Sequence, residues 1–195
     1  AYLTDRVDFA TFSGHKFHAV RGVGFVYKKN GKKITPLLTG GGQEKDFRST
    51  TENVAGIASM AKALRLVTDK EEFSLPKIAK MKKIIFDELA KYEDITIFSG
   101  EGEDFAPNIL TFGIKGVRGE VVVHAFEEHQ IYISTTSACS SKAGKPAGTL
   151  ISMGVPTKLA QTAVRISLDD DNDMGQVEQF LTIFKQVYAK TQKVR

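Results

Sequence analysis

The chain has 195 residues, of which 42% are hydrophobic, and a formal net charge of +4 at pH 7. This length and composition are sufficient for one large or two small globular domains with a hydrophobic core. No apolar run approaches the roughly 18 residues of a membrane span, no signal-peptide pattern stands at the start, and the basic residues form no patch with interleaved aromatics. We therefore predict a cytoplasmic protein without membrane association or direct nucleic-acid binding.

The first third of the chain has the pattern of a β-hairpin followed by a helix. Residues 8–12 and 24–28 are predicted strands, and the turn dipeptide Asn30-Gly31 is expected to lead into a third strand over 33–38. Hydroxyl and amide side chains over 48–53 are suited to cap a helix that continues through Val67.

The rest of the chain alternates between helical and strand patterns. A charged stretch, 68–72, is the predicted seam between a first domain, 1–67, and a second domain, 68–195. The second domain is expected to contain these elements: a helix over 74–92, strands over 95–98 and 108–112, a helix over 119–129, strands over 131–133 and 163–168, and a helix over 174–190. This βαβ-like order predicts the α/β fold class.

Cys139 is the only cysteine, and it lies in a stretch of small and polar residues, 134–148. A single cysteine excludes an internal disulfide, and we predict no metal site. A thiol in such a loop is suited to reactive sulfur chemistry. From this stretch alone, an exposed thiol without any function is an equal alternative.

Ser13, Gly14, His15 and Lys16 follow the first predicted strand directly. A lysine amine forms Schiff bases when burial or a nearby cation lowers its pKa, and a serine and a histidine beside it are suited to hold a phosphate. The spacing alone is more typical of a solvated loop lysine between surface residues.

A wider set of motifs decides between these alternatives. Together, in order and spacing, they resemble NifS/IscS-type cysteine desulfurases, which are pyridoxal-phosphate enzymes of aminotransferase class V. The motifs are Ser13-Gly14-His15-Lys16, the glycine-rich segments 22–27 and 40–44, Arg48-Ser49-Thr50-Thr51, Ser137-Ala138-Cys139-Ser140-Ser141 and Val164-Arg165-Ile166-Ser167-Leu168. The resemblance implies the end of a large aspartate-aminotransferase-like domain followed by a small C-terminal α/β sandwich domain that carries the cysteine loop.

The resemblance also implies roles for residues around pyridoxal 5'-phosphate. Lys16 corresponds to the lysine that carries the cofactor as a Schiff base, and Ser13 and His15 correspond to ligands of its phosphate. Thr51 corresponds to a threonine that reaches the phosphate of the neighbouring subunit, which implies a homodimer. Thr50 stands where the family commonly has glycine, so this chain departs from the family pattern at the shared phosphate site.

For the reaction, the resemblance makes Arg165 the clamp of the substrate carboxylate and Cys139 the nucleophile that takes sulfur from L-cysteine. The products are L-alanine and a persulfide, which is passed to an iron-sulfur scaffold or a tRNA-thiolation enzyme. The alternatives are a related class V aminotransferase or selenocysteine lyase, and a non-catalytic dimerisation or acceptor-binding fragment. The resemblance covers only the second half of the family's length, so we expect the isolated chain to be inactive.

Overall fold

The structure, a computed structural model, describes residues 3–102, 104–135 and 148–192. It divides the chain into two compact units, Ala1–Glu72 and Phe73–Arg195. Within the described ranges, no helix combines the length and apolar character that a bilayer crossing requires.

The first unit contains a two-stranded antiparallel sheet. Strand β1, Phe9–Ser13, pairs with β2, Gly24–Lys28, and a 3₁₀ turn over Gly14–Phe17 lies between them. Both strands were predicted. The third strand predicted over 33–38 is wrong, because β2 takes β1 as its partner and residues 33–38 have no strand conformation.

Helix α1, Val54–Leu89, replaces two predicted helices and the break expected between them. Its helical hydrogen bonding continues through the charged stretch 68–72 and past Pro76. Proline removes one N–H donor from a helix, and the flanking turns retain their own bonds. The boundary between the two compact units falls within this helix, between Glu72 and Phe73.

The second unit is built on a four-stranded sheet in the order β3-β4-β6-β5, and all three pairings are antiparallel. The strands are Ile95–Ile97 (β3), Ile109–Ile114 (β4), Ser134–Thr135 (β5) and Ala163–Ser167 (β6). The helices of this unit beyond α1 are Gly119–Glu127 (α2), Gly148–Ser152 (α3), Thr157–Ala160 (α4) and Met174–Gln192 (α5). The predicted order of strands and helices is therefore confirmed except at one strand. The strand predicted over 131–133 is wrong, because those residues have no strand conformation and the pairing with β6 starts at Ser134.

One face of this sheet carries the main hydrophobic core. Strand residues Phe112 and Val164 pack with α1, α2 and α5 in a cluster that includes Ile85, Phe126 and Phe184. Alternate residues of a strand point to opposite faces, so Ala163 lies on the other face. There it packs with Leu150 of α3 and Ala160 of α4 in a smaller apolar cluster.

Candidate functional site

The candidate cofactor lysine lies on the 3₁₀ turn that directly follows β1. Lys16 and His15 are both exposed on this turn. Ser13 is the last residue of β1 and occupies the N-cap position of the turn, yet its hydroxyl makes no capping hydrogen bond. The structure thus brings Ser13, His15 and Lys16 together, with the Ser13 hydroxyl not committed to the turn.

The turn is held in place beside the sheet by close backbone packing. The Gly14 N–H donates to the Val23 carbonyl oxygen at 2.9 Å, and the Ala19 N–H donates to the Gly14 carbonyl oxygen at 3.0 Å. A Cβ on Gly14 would lie 2.9 Å from the Val23 oxygen, so only glycine fits without a shift. In the adjoining strands, Phe12 and Phe25 stack with ring centroids 4.5 Å apart.

The other predicted site residue of the first unit is Thr51, which is exposed just before the start of α1. In the loop that leads to it, the Ser49 N–H donates a backbone hydrogen bond of 3.0 Å to the Leu38 carbonyl oxygen. Cys139 lies outside the described residues.

Arg165 lies in the second unit, at the centre of β6. It pairs with Thr111 of β4 on one side and with Ser134 of β5 on the other. Its Nε atom is buried and has no hydrogen-bond partner among the residues described. A buried guanidinium nitrogen without an acceptor is costly, so this atom is suited to receive an anionic ligand.

Residues 4–180 match the family model described as "Aminotransferase class-V". The chain belongs to the class V aminotransferase family. Among curated class V proteins, it is 47% identical over 192 residues to the "NifS/IcsS protein homolog" of Lactobacillus delbrueckii subsp. bulgaricus, covering 98% of this chain and 50% of the relative. It is 34% identical over 162 residues to "Cysteine desulfurase IscS" of Dictyoglomus turgidum, covering 83% of this chain and 41% of the relative.

Solved structures of class V proteins give the same result for the fold. The NifS-like protein of Rickettsia africae superposes with a TM-score of 0.82 at 32% identity, over 94% of this chain and 48% of that protein. Another NifS-like protein superposes with a TM-score of 0.81 at 31% identity, over 94% of this chain and 47% of that protein. The predicted fold and the resemblance to the desulfurases are confirmed. The chain spans about half the length of the curated relatives it matches.

The two cross-strand neighbours of Arg165, Thr111 and Ser134, were not predicted as site residues from the sequence. They flank Arg165 only because of the strand register, since each belongs to a different strand and lies far from Arg165 along the chain. The alternation of polar and apolar residues in β4 and β6 indicates which face each side chain takes. It does not indicate which strands become neighbours.

Proposed function

We propose that the protein containing this chain is a pyridoxal-phosphate-dependent cysteine desulfurase. The observation that carries this proposal is the turn over Gly14–Phe17. There, exposed Lys16 follows Ser13, whose hydroxyl makes no capping hydrogen bond, and Gly14, which is tightly packed. Curated relatives with the name cysteine desulfurase support it over most of the chain. The class V family as a whole supports the cofactor.

The residues of the lysine turn fit pyridoxal phosphate. The Ser13 hydroxyl and the His15 ring supply hydrogen-bond groups for its phosphate, and the Lys16 amine supplies the nucleophile for its aldehyde. Thr51 contributes a hydroxyl to the phosphate of the partner subunit. When bound, pyridoxal phosphate supplies an electron sink for the carbon that carries the substrate amine.

Arg165 and Lys16 have different roles in the reaction. The Arg165 guanidinium binds and orients the carboxylate of L-cysteine, a task suited to its planar fork and supported by the buried Nε atom, which has no acceptor in the described part of the chain. The Lys16 amine would take the proton from Cα of the substrate and return it when alanine forms.

Cys139 accepts the sulfur. Its thiolate attacks the substrate sulfur, so a new S–S bond forms while the Cβ–S bond of the substrate breaks. The electron pair of the broken bond stays with the carbon skeleton, which takes up protons and leaves as L-alanine. Cys139 is left as a persulfide, and no external oxidant or reductant is consumed. A separate protein then removes the sulfur, either an iron-sulfur scaffold or a tRNA-thiolation enzyme.

The proposal includes a homodimer in the cytoplasm. A role for Thr51 across the subunit boundary requires a second copy. Exposed apolar side chains in the same unit support a protein neighbour, since Leu37 is 94% exposed and Val54 is 71% exposed. Burial of such side chains is a main favourable contribution to association.

The test uses the natural protein that contains this chain, loaded with pyridoxal phosphate. Incubation with L-cysteine and a thiol reductant should yield equal amounts of alanine and sulfide. Borohydride reduction followed by peptide mass analysis should place the pyridoxyl group on Lys16. Cys139→Ser should lower alanine formation by at least about 100-fold while the cofactor stays attached to Lys16.

Lys33→Ala is a control for the assignment to Lys16: it removes an exposed lysine of the same unit and should retain full activity and the pyridoxyl group on Lys16. Alanine formation that survives Cys139→Ser unchanged would contradict the role of Cys139, whereas transamination of the substrate that does not depend on Cys139 would favour a plain aminotransferase. A pyridoxyl group found on another lysine would contradict the role of Lys16.

A further inference from the structure

Three polar side chains form a row across the sheet of the second unit. Arg165 in β6 lies directly opposite Thr111 in β4 and directly opposite Ser134 in β5. Residues opposite each other in an antiparallel pair share a face and have Cβ atoms about 4.5–5.5 Å apart. Thr111 alternates with Leu110 and Phe112, which belong to the hydrophobic core. The row therefore lies on the face opposite that core.

The surroundings of the row strengthen the attraction between the Arg165 charge and an anion. On the same face, Ala163 precedes Arg165 by two residues and is buried in the apolar cluster with Leu150 and Ala160. Apolar neighbours exclude water, and a charge near them interacts more strongly with an anion than it would in bulk solvent. The buried Nε atom of Arg165 shows that this desolvation already reaches the guanidinium.

Arginine alone does not determine where a carboxylate sits. Its side chain has about 2 kcal/mol of rotamer entropy, and a bidentate carboxylate uses only some of its five N–H donors. The remaining donors need acceptors in the protein. Thr111 and Ser134 carry hydroxyl oxygens, which accept hydrogen bonds, and they stand on the two sides of Arg165.

We propose that Thr111 and Ser134 are positioning residues that orient the Arg165 guanidinium, so that the row Thr111-Arg165-Ser134 recognises the α-carboxylate of the substrate amino acid. This inference rests on the proposed function, which assigns the carboxylate to Arg165. It adds Thr111 of β4 and Ser134 of β5 to the carboxylate-binding site. Carboxylate recognition then depends on the strand register that places both residues beside Arg165.

The test measures kinetics in the natural protein that contains this chain, with L-cysteine as substrate and propanoate as a competitive probe that carries the carboxylate alone. Ser134→Ala and Thr111→Val should each raise the KM for L-cysteine and the inhibition constant of propanoate by about 10-fold, the loss expected for one hydrogen bond to a charged group. The kcat should change by less than about 3-fold. Ser134→Thr and Thr111→Ser, which keep the hydroxyl, should restore both constants.

A double-mutant comparison separates positioning from a general effect on the sheet. If the hydroxyls act through Arg165, adding Ser134→Ala to Arg165→Lys should raise the two constants little beyond the effect of Arg165→Lys alone. The matched control is Thr96→Val, because Thr96 lies on the same face but opposite Gly113. It should leave both constants unchanged.

The outcomes distinguish this inference from the proposed function. The positioning role would be overturned if Ser134→Ala raised the KM and the inhibition constant by the same factor in the wild type and in Arg165→Lys. It would also be overturned if Thr96→Val raised them as much as Ser134→Ala does. Unchanged constants in Ser134→Ala and Thr111→Val, while Arg165→Lys raises them, would overturn this inference and leave the carboxylate clamp intact. Unchanged constants in Arg165→Lys would overturn the clamp itself.

Discussion

The ammonium group of Lys82 donates a 2.9 Å hydrogen bond to the carbonyl oxygen of Ala106, and a second one of 3.2 Å to the carbonyl oxygen of Gly100. Lys82 belongs to α1 and is only 6% exposed, and its ammonium group binds carbonyl oxygens of the loop between β3 and β4. Burial lowers the pKa of Lys82, and the nearby Glu101 carboxylate partly offsets that shift.

From this arrangement we expect Lys82→Met to lower the free energy of unfolding by about 1–3 kcal/mol at pH 7, because two hydrogen bonds from a charged donor are lost. Urea denaturation measures this value. The folded state releases the Lys82 proton at a lower pH than the unfolded state, whose pKa is about 10.4. The advantage of the wild type should therefore grow as pH rises toward that value. Lys80→Met, an exposed lysine on the same helix, should change stability by less than about 0.5 kcal/mol.

Glu88 ties the end of α1 to α5. It accepts a hydrogen bond of 2.6 Å from Lys91 and lies 3.4 Å from the Lys185 ammonium, with its side chain only 13% exposed. The Lys91 hydrogen bond lowers the pKa of Glu88 most strongly, partial burial opposes this, and Lys185 lowers it further. We expect Glu88→Gln to cost about 1–2 kcal/mol at pH 7.

The pH dependence of that difference identifies its origin. The folded state holds Glu88 ionised at a lower pH than the unfolded state, whose pKa is about 4.3. The stability that Glu88 contributes is therefore present above about pH 4.3 and is lost as pH falls below it. Thermal denaturation between about pH 3 and 7 should show that the stabilities of the wild type and Glu88→Gln become equal at the acid end of this range.

The exposed pair Lys83–Asp87, 2.9 Å apart on the same helix, is the control, and Asp87→Asn should cost less than about 0.5 kcal/mol. A difference that persists at low pH would contradict an ionic origin.

Gly14 sets the position of the lysine turn. A Cβ at this residue would lie 2.9 Å from the Val23 carbonyl oxygen and 3.0 Å from the Ala19 Cβ atom. We expect Gly14→Ala to destabilise the protein by about 1–3 kcal/mol and to weaken cofactor retention, because the turn must move. Thermal denaturation and the fraction of bound cofactor after dialysis measure the two effects. Gly102→Ala is the control, since no described atom lies within 4 Å of its Cβ position, and it should change neither quantity. Equal behaviour of the two variants would contradict the packing argument.

Local patterns in the sequence were sufficient for the individual elements. The strands β1 and β2, the core helix α5 and the strand that carries Arg165 were all predicted from the residue types of their own segments. The motifs around Lys16 and Arg165, taken with those around Thr51 and Cys139, indicated the family by their resemblance to NifS/IscS-type cysteine desulfurases. The roles of Lys16, Thr51 and Cys139 remain predictions.

Two local signals gave wrong boundaries. The Asn30-Gly31 dipeptide predicted a hairpin with a third strand, but β2 pairs with β1 instead, since a turn dipeptide does not decide between competing strand partners. The charged stretch 68–72 predicted a break between helices, but α1 is continuous. The side chains of 68–72 are exposed, so they stay hydrated while the helical hydrogen bonding continues past them.

The sequence by itself determined the residue types of the candidate chemistry, namely a lysine beside a serine and a histidine, a single cysteine, and an arginine on a strand. Only the tertiary structure decided that Arg165 has Thr111 on one side and Ser134 on the other, and that its Nε atom is buried without a protein acceptor in the described part of the chain. The physical reason is that side-chain alternation specifies the face of each strand, whereas strand order and register arise from hydrogen bonds between segments far apart in the chain.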